Sequence, residues 1–213
     1  MSSPSDPRPA VPSLLERVPV VPVVVVDDVA HAVPLARALV AGGLPAVELT
    51  LRTPVALEAI RAIAQEVPEI LLGAGTVVTP GQAKEALDAG AQFLVSPGST
   101  PSLLGAMADT GLPFLPGTAT VSEVLAVLEA GFSEMKFFPA EASGGAAFLK
   151  AVGAPVPAAR FCPTGGITAE SAAAYLALPN VGCVGGSWLT PADALAAGDW
   201  ARVERLARAA AAL

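Results

Sequence analysis

Eight short apolar runs recur along this chain at near-regular intervals, and a helix-forming stretch separates each from the next. The runs cover 19–26, 46–50, 71–77, 93–96, 113–116, 134–138, 160–164 and 182–185. They read as buried strands bounded by turn residues. The stretches between them, 29–41, 54–65, 80–89, 101–108, 121–130, 144–151 and 169–177, carry helical patterning, and 199–213 reads as a last helix. Asp28 is placed to cap the first of these, and proline stands near the start of several others, where its missing N–H costs nothing. Ala41-Gly42-Gly43, Ala89-Gly90-Ala91 and Ala130-Gly131-Phe132 each follow a helix and precede a strand. Glycine there suits a left-handed helix C-cap. Eight strands alternating with helices on short loops point to an α/β chain folded as a single (β/α)8 TIM barrel. The barrel would be compact, since 213 residues fall short of the ~250 typical of that fold. An open doubly wound sheet is the competing architecture, and eight units favour closure. The expected organisation is a disordered Ser/Pro-rich leader at 1–12 and one barrel domain at 13–213.

Composition limits the partners. A net charge of −7 argues against nucleic acid. The longest apolar run, 18–26, contains Pro19 and Pro22 and is too short to span a bilayer, so no membrane is expected. The leader lacks the basic-then-apolar order of a signal peptide, which makes cytoplasm the default location. Cys162 and Cys183 are far apart in sequence and have no metal-type spacing. They read as small buried residues. With His31 the only histidine and no cysteine cluster, no zinc site is expected. A carboxylate-bound magnesium site stays open on these grounds.

Lys136 stands apart from that background. The other two lysines, Lys84 and Lys150, lie in polar or helix-end surroundings, whereas Lys136 interrupts the apolar run Glu134-Met135-Lys136-Phe137-Phe138-Pro139. A buried amine is costly unless it is paired, neutral or used. Burial disfavours the ammonium form, and a neutral amine is what a Schiff-base lysine requires. Side chains alternate along a strand. Met135 and Phe137 therefore share the face that packs on the outer helices, and Glu134, Lys136 and Phe138 turn inward. By the same parity Glu48 and Thr50 face in, with Arg52 just past the strand end, and Arg160, Cys162 and Thr164 face in opposite Phe161. Catalytic groups of such barrels come from the C-terminal ends of different strands. Glu48, Arg52, Thr76 and Lys136 fit that rule. The plainer alternative is a structural Glu–Lys ion pair. Thr164-Gly165-Gly166 and Gly185-Gly186-Ser187 follow the seventh and eighth strands, where barrels often bind phosphate through backbone N–H groups.

In these segments the chain resembles the KDPG aldolase family, which acts on 2-keto-3-deoxy-6-phosphogluconate (KDPG) and on 4-hydroxy-2-oxoglutarate (KHG). The matching pieces run in order from Pro19-Val20-Val21-Pro22-Val23 through Val47-Glu48-Leu49-Thr50-Leu51-Arg52-Thr53, Gly73-Ala74-Gly75-Thr76-Val77, Phe93 and Ser96-Pro97-Gly98. They continue through Lys136-Phe137-Phe138-Pro139-Ala140-Glu141, Arg160-Phe161-Cys162-Pro163-Thr164-Gly165-Gly166-Ile167 and Gly185-Gly186-Ser187-Trp188-Leu189. The resemblance implies a class I aldolase on a homotrimeric barrel, with no metal and no cofactor. Its substrates would be a phosphorylated keto acid and pyruvate. It implies that Lys136 forms the Schiff base and that Glu48 is the general acid/base. Arg52 and Thr76 would bind the pyruvate carboxylate, while Pro97, Phe138 and Thr164 line the pocket. Gly165, Gly166, Gly186 and Ser187 would hold the phosphate. The sequence departs from the family at its leader and at Thr118-Ala119, where other members often carry a bulkier first residue.

Three other readings compete. One is an aldolase for the C4-epimeric phosphogalactonate substrate. Another is a phosphate-binding barrel isomerase or decarboxylase, which needs no lysine nucleophile. The last is a barrel that binds a phosphorylated ligand without turnover.

Overall fold

The computed structural model describes residues 13–213, and the leader at 1–12 lies outside the described residues. The apolar runs form β1 (Val20–Val24), β2 (Ala46–Thr50), β3 (Leu71–Gly75), β4 (Phe93–Val95), β5 (Phe114–Leu115), β6 (Gly117–Thr118), β7 (Glu134–Phe137), β8 (Arg160–Pro163) and β9 (Val184–Gly186). Between and after them lie α1 (Ala32–Ala41), α2 (Ala56–Glu66), α3 (Pro80–Asp88), α4 (Pro101–Asp109), α5 (Val121–Glu129), α6 (Gly145–Gly153), α7 (Ala169–Leu176), α8 (Ala192–Ala197) and α9 (Trp200–Ala211).

The alternation makes every ladder parallel. The strands form a curled α/β sheet in the order β5-β4-β3-β2-β1-β9, beside a second sheet in the order β6-β7-β8. Parallel bridges at Phe161↔Val181 and Thr164↔Gly185 link β8 to the chain entering and forming β9.

The fifth strand expected at 113–116 shortens to β5, and a further two-residue strand, β6, follows Pro116. Pro116 divides them and has no N–H to donate to a ladder. β5 pairs with β4 and β6 pairs with β7, so the chain changes partner across the proline. The eighth strand begins at Val184, two residues later than expected. α8 was not foreseen, because six residues are too few to display helical periodicity.

The helix ends follow local chemistry. Thr79, Thr120 and Thr168 each close a capping box at α3, α5 and α7, satisfying otherwise orphaned N–H groups. Asp28 caps as expected, although the turn it opens, Val29–His31, is a 3-10 turn leading into α1. Gly90 (φ 99°) and Gly131 (φ 92°) take the left-handed conformation anticipated for them.

The strand parity also holds. Met135 and Phe137 are fully buried, and Phe137 stacks on Phe148 of α6 at 4.9 Å with the rings 3° from parallel. Burying each such side chain contributes about 1.5–3 kcal/mol. At the N-terminal end of the strands, the 3-10 turn Leu14–Glu16 buries Leu14 and Leu15. Ser13 Oγ donates to Glu134, and Arg160 donates to Glu16 at 2.7 Å. Arg160 opens β8 at this N-terminal end, where its partially exposed guanidinium is held by Glu16. This plug leaves the opposite, C-terminal rim as the open end. Among the described residues no helix is long and apolar enough to cross a membrane.

Candidate active site

Lys136 is 2 % exposed and Glu48 3 %. They sit on β7 and β2, 88 residues apart, and Lys136 Nζ donates to Glu48 Oε1 at 3.2 Å. Two large side chains can meet there because β3 carries no side chain at its inward positions Gly73 and Gly75. A Cβ at Gly75 would lie 2.0 Å from Glu48 Oε1, and one at Gly73 would lie 2.1 Å from the Phe93 ring. Gly75 therefore leaves the channel through which Glu48 reaches the amine, and Gly73 admits the aromatic ring that fills the interior. Gly117 does the same beside Lys136. The two are register partners, and a Cβ at Gly117 would strike the Pro97 backbone at 2.2 Å. Gly73 and Gly75 carry no chemistry of their own. Their signal was glycine at two same-parity positions of one strand, which otherwise weakens a strand.

Around the amine the structure brings together most of the expected residues. Phe138 lies over Lys136, with Nζ 5.3 Å from the ring centroid, and also flanks Gly165, whose added Cβ would touch the ring at 3.2 Å. Thr164 is 7 % exposed, and its Oγ1 has no hydrogen-bond partner. It packs on Gly185, where a Cβ would meet that oxygen at 2.2 Å. An unpaired buried hydroxyl costs free energy, and this one lies inside the strand wall against Gly185.

Arg52, beyond the end of β2, is exposed. Its Nε donates to Thr76 Oγ1 at 3.0 Å, and among the described residues its terminal nitrogens make no protein hydrogen bond or ion pair. Thr76 has φ 57° and is the one non-glycine residue with positive φ among those described. For a β-branched residue this backbone is strained, and such strain collects at functional sites. An arginine fork and a hydroxyl at one rim suit a planar anion such as a carboxylate.

Gly165 (φ 103°) and Gly166 (φ 82°) turn the chain after β8 in a conformation that favours glycine. Gly186 ends β9 under the Trp188 ring, which a Cβ would strike at 2.3 Å. Ser187 is exposed and borders a cavity of about 440 Å³ that also touches Asp27, His31 and Thr190. His31 itself packs edge-on against Trp200 at 5.5 Å.

Cys162 and Cys183 are buried free thiols. Contact with Cys162, followed by burial, pushes the Cys183 thiol well up, so it stays protonated. Among the described residues no group of three or more His, Cys, Asp or Glu is arranged to hold a metal ion. The geometry offers a buried amine beside a carboxylate, an anion fork at one side, and a glycine turn after β8 with the glycine end of β9 at another. That arrangement can form an imine on a carbonyl and move a proton next to it.

Comparison with known proteins agrees with this reading. Residues 11–206 match the family model described as KDPG and KHG aldolase. The chain is 55 % identical over 198 residues to the KHG/KDPG aldolase of Escherichia coli K12, covering 93 % of each chain. A crystal structure of KDPG aldolase from Legionella pneumophila holds pyruvate as a covalent carbinolamine. It superposes with a TM-score of 0.91 at 46 % identity, covering 92 % of this chain and 96 % of that one. The 2-keto-3-deoxy-6-phosphogluconate aldolase of Zymomonas mobilis ZM4, solved with 3-phosphoglycerate, gives a TM-score of 0.87 at 46 % identity, covering 93 % of each.

Proposed function

Because the chain belongs to the KDPG and KHG aldolase family, we propose that it is a class I aldolase that cleaves KDPG to pyruvate and glyceraldehyde 3-phosphate, and KHG to pyruvate and glyoxylate. The observation that carries the mechanism is the buried 3.2 Å contact between Lys136 Nζ and Glu48 Oε1. Lys136 Nζ, having passed a proton to Glu48, attacks the C2 ketone, and the proton returns to the departing hydroxyl as water leaves and an iminium forms. The C3–C4 bond then breaks, and its electron pair is delocalised into the iminium as an enamine. Glu48 takes the C4 hydroxyl proton as the aldehyde leaves. Protonation of the enamine and hydrolysis of the imine release pyruvate and restore the amine.

Arg52 and Thr76 hold the carboxylate next to the ketone, and Thr164 lines the pocket along with Pro97 and Phe138. Gly165, Gly166, Gly186 and Ser187 hold the phosphate at the far end. Residues 13–213 act as one domain, which we read as an eight-stranded barrel closed through two seams. The partner change at Pro116 and the bridges Phe161↔Val181 and Thr164↔Gly185 support that closure. A homotrimer, implied by the family resemblance, is part of the same reading.

Borohydride reduction in the presence of pyruvate tests the covalent step. A stable pyruvate adduct is expected on the tryptic peptide containing Lys136. Full labelling at another lysine, or no labelling under turnover conditions, would overturn the assignment and favour the isomerase or decarboxylase alternatives.

Thr76 allows a separate check. The left-handed conformation costs a non-glycine residue about 1–2 kcal/mol, and glycine's extra freedom costs about 0.5–1 kcal/mol. Thr76→Gly is therefore expected to leave thermal stability unchanged or slightly raised. It also removes the hydroxyl that orients Arg52, so KM should rise on the order of tenfold for one charge-assisted hydrogen bond. A KM equal to wild type would remove Thr76 from the binding site.

A further inference from the structure

Tyr175 on α7 is the chain's single tyrosine, and it is almost wholly buried at 2 % exposure. Its hydroxyl donates to Glu141 Oε1 at 2.6 Å. Burial first, and the Glu141 carboxylate second, hold the phenol proton on well beyond its ordinary range. The mechanism above uses neither residue, although Glu141 ends the Lys136-to-Glu141 segment.

Glu141 touches the turn after β8 in two ways. Its backbone N–H donates to the Gly165 carbonyl at 3.1 Å, next to a bond from Ala140 N–H to the Thr164 carbonyl at 2.8 Å. Its aliphatic stem lies on Gly166, where a Cβ would meet Glu141 Cγ at 2.7 Å and Cβ at 2.8 Å. The carboxylate end is drawn toward the start of α6, since a Cβ at Gly145 would meet Tyr175 Oη at 3.2 Å and Glu141 Oε2 at 3.6 Å. One side chain thus spans from the glycine turn to the crevice between α6 and α7, and the tyrosine hydroxyl anchors its far end.

We propose that Tyr175, acting through Glu141, is a positioning residue that sets the Gly165–Gly166 turn for the phosphate end of the substrate. Two consecutive glycines have little conformational preference of their own. The orientation of their N–H groups depends on what packs behind them. Glu141 supplies that backing, and without its anchor the stem is free to leave Gly166. Chemistry at Lys136 lies at the other end of the substrate and does not need the tie. The inference rests on the phosphate assignment made above.

The experiment compares steady-state kinetics on KDPG and on KHG, which lacks the phosphate. Tyr175→Phe keeps the ring and removes the anchor. KM for KDPG is expected to rise on the order of tenfold, the effect of losing one hydrogen bond to a charged group. The kcat for KDPG and both constants for KHG should stay within about twofold. Glu141→Gln retains an acceptor and the stem, so KM for KDPG should stay near wild type, whereas Glu141→Ala should reproduce the Tyr175→Phe split. If Tyr175→Phe does not fold, the Glu141→Gln and Glu141→Ala pair decides the question alone. Equal changes on both substrates, or none on KDPG, would overturn the positioning role. Ser187→Ala keeps the loop reading separate. If Ser187→Ala raises KM for KDPG while Tyr175→Phe and Glu141→Ala do not, only the tie fails. If Ser187→Ala leaves KDPG unaffected, the phosphate assignment itself fails.

Discussion

Lys136→Met is expected to lower kcat on KDPG by about four to six orders of magnitude, the scale seen when a covalent nucleophile is lost. Methionine fills a similar volume, so the loss should come from the missing amine rather than from a cavity. The same substitution should also destabilise the protein. It leaves Glu48, 3 % exposed, without the cation that Lys136 provides. Breaking a buried pair from one side costs about 3–5 kcal/mol, or roughly 10 °C in Tm for a chain of this size. The double variant Lys136→Met/Glu48→Leu separates the two effects. Replacing both members of a buried pair by apolar groups is often neutral or stabilising, so Tm should recover while activity stays lost. That pattern, read by thermal unfolding and by aldol cleavage assay, would mean that the pair exists for catalysis and not for stability. A double variant as unstable as the single one would support the structural ion pair instead.

Gly75→Ala should also lower activity severely although it adds one methyl group. The added Cβ would lie 2.0 Å from Glu48 Oε1, 2.5 Å from its Cγ and 2.6 Å from its Cδ. The clash involves the stem as well as the tip, so a small rotation of the carboxylate does not relieve it. Glu48 must leave its place beside Lys136. Loss of a positioned general acid/base predicts a fall in kcat of about 10²–10⁴-fold. Gly105→Ala is the matched control. Gly105 is exposed in α4, and a Cβ there meets nothing within 4 Å. It should raise stability by roughly 0.5–1 kcal/mol through helix propensity and leave kcat unchanged. Full activity in Gly75→Ala would mean that Glu48 does not need its observed position.

These two variants mark different depths of sequence reading. Lys136 was conspicuous as an amine in an apolar run, and strand parity alone turned it inward. Parity has a period of two residues, so a five-residue segment is enough to apply it. Gly75 signals only a missing side chain in a strand. Its role depends on which side chain crosses the interior from β2, and the contact that results joins residues 88 apart. The Pro116 break has a similar origin. The proline was visible, but the change of partner from β4 to β7 depends on how the curled sheet divides. Arg52 and Thr76 were both expected at the C-terminal rim, whereas the left-handed backbone of Thr76 was not. Tyr175 was passed over because one tyrosine in a short helix carries no pattern.

The sequence by itself determined the alternation of strands and helices, the helix caps, the inward face of β2, β7 and β8 and the types of residue at the rim. Those features come from local periodicity and local hydrogen-bonding chemistry, which act over a few residues. Only the tertiary structure decided that Glu48 meets Lys136 across a glycine, that Arg52 is oriented by a strained Thr76, and that Glu141 and Tyr175 back the glycine turn. Each is a contact between distant segments, set by strand register and by where a missing Cβ leaves room.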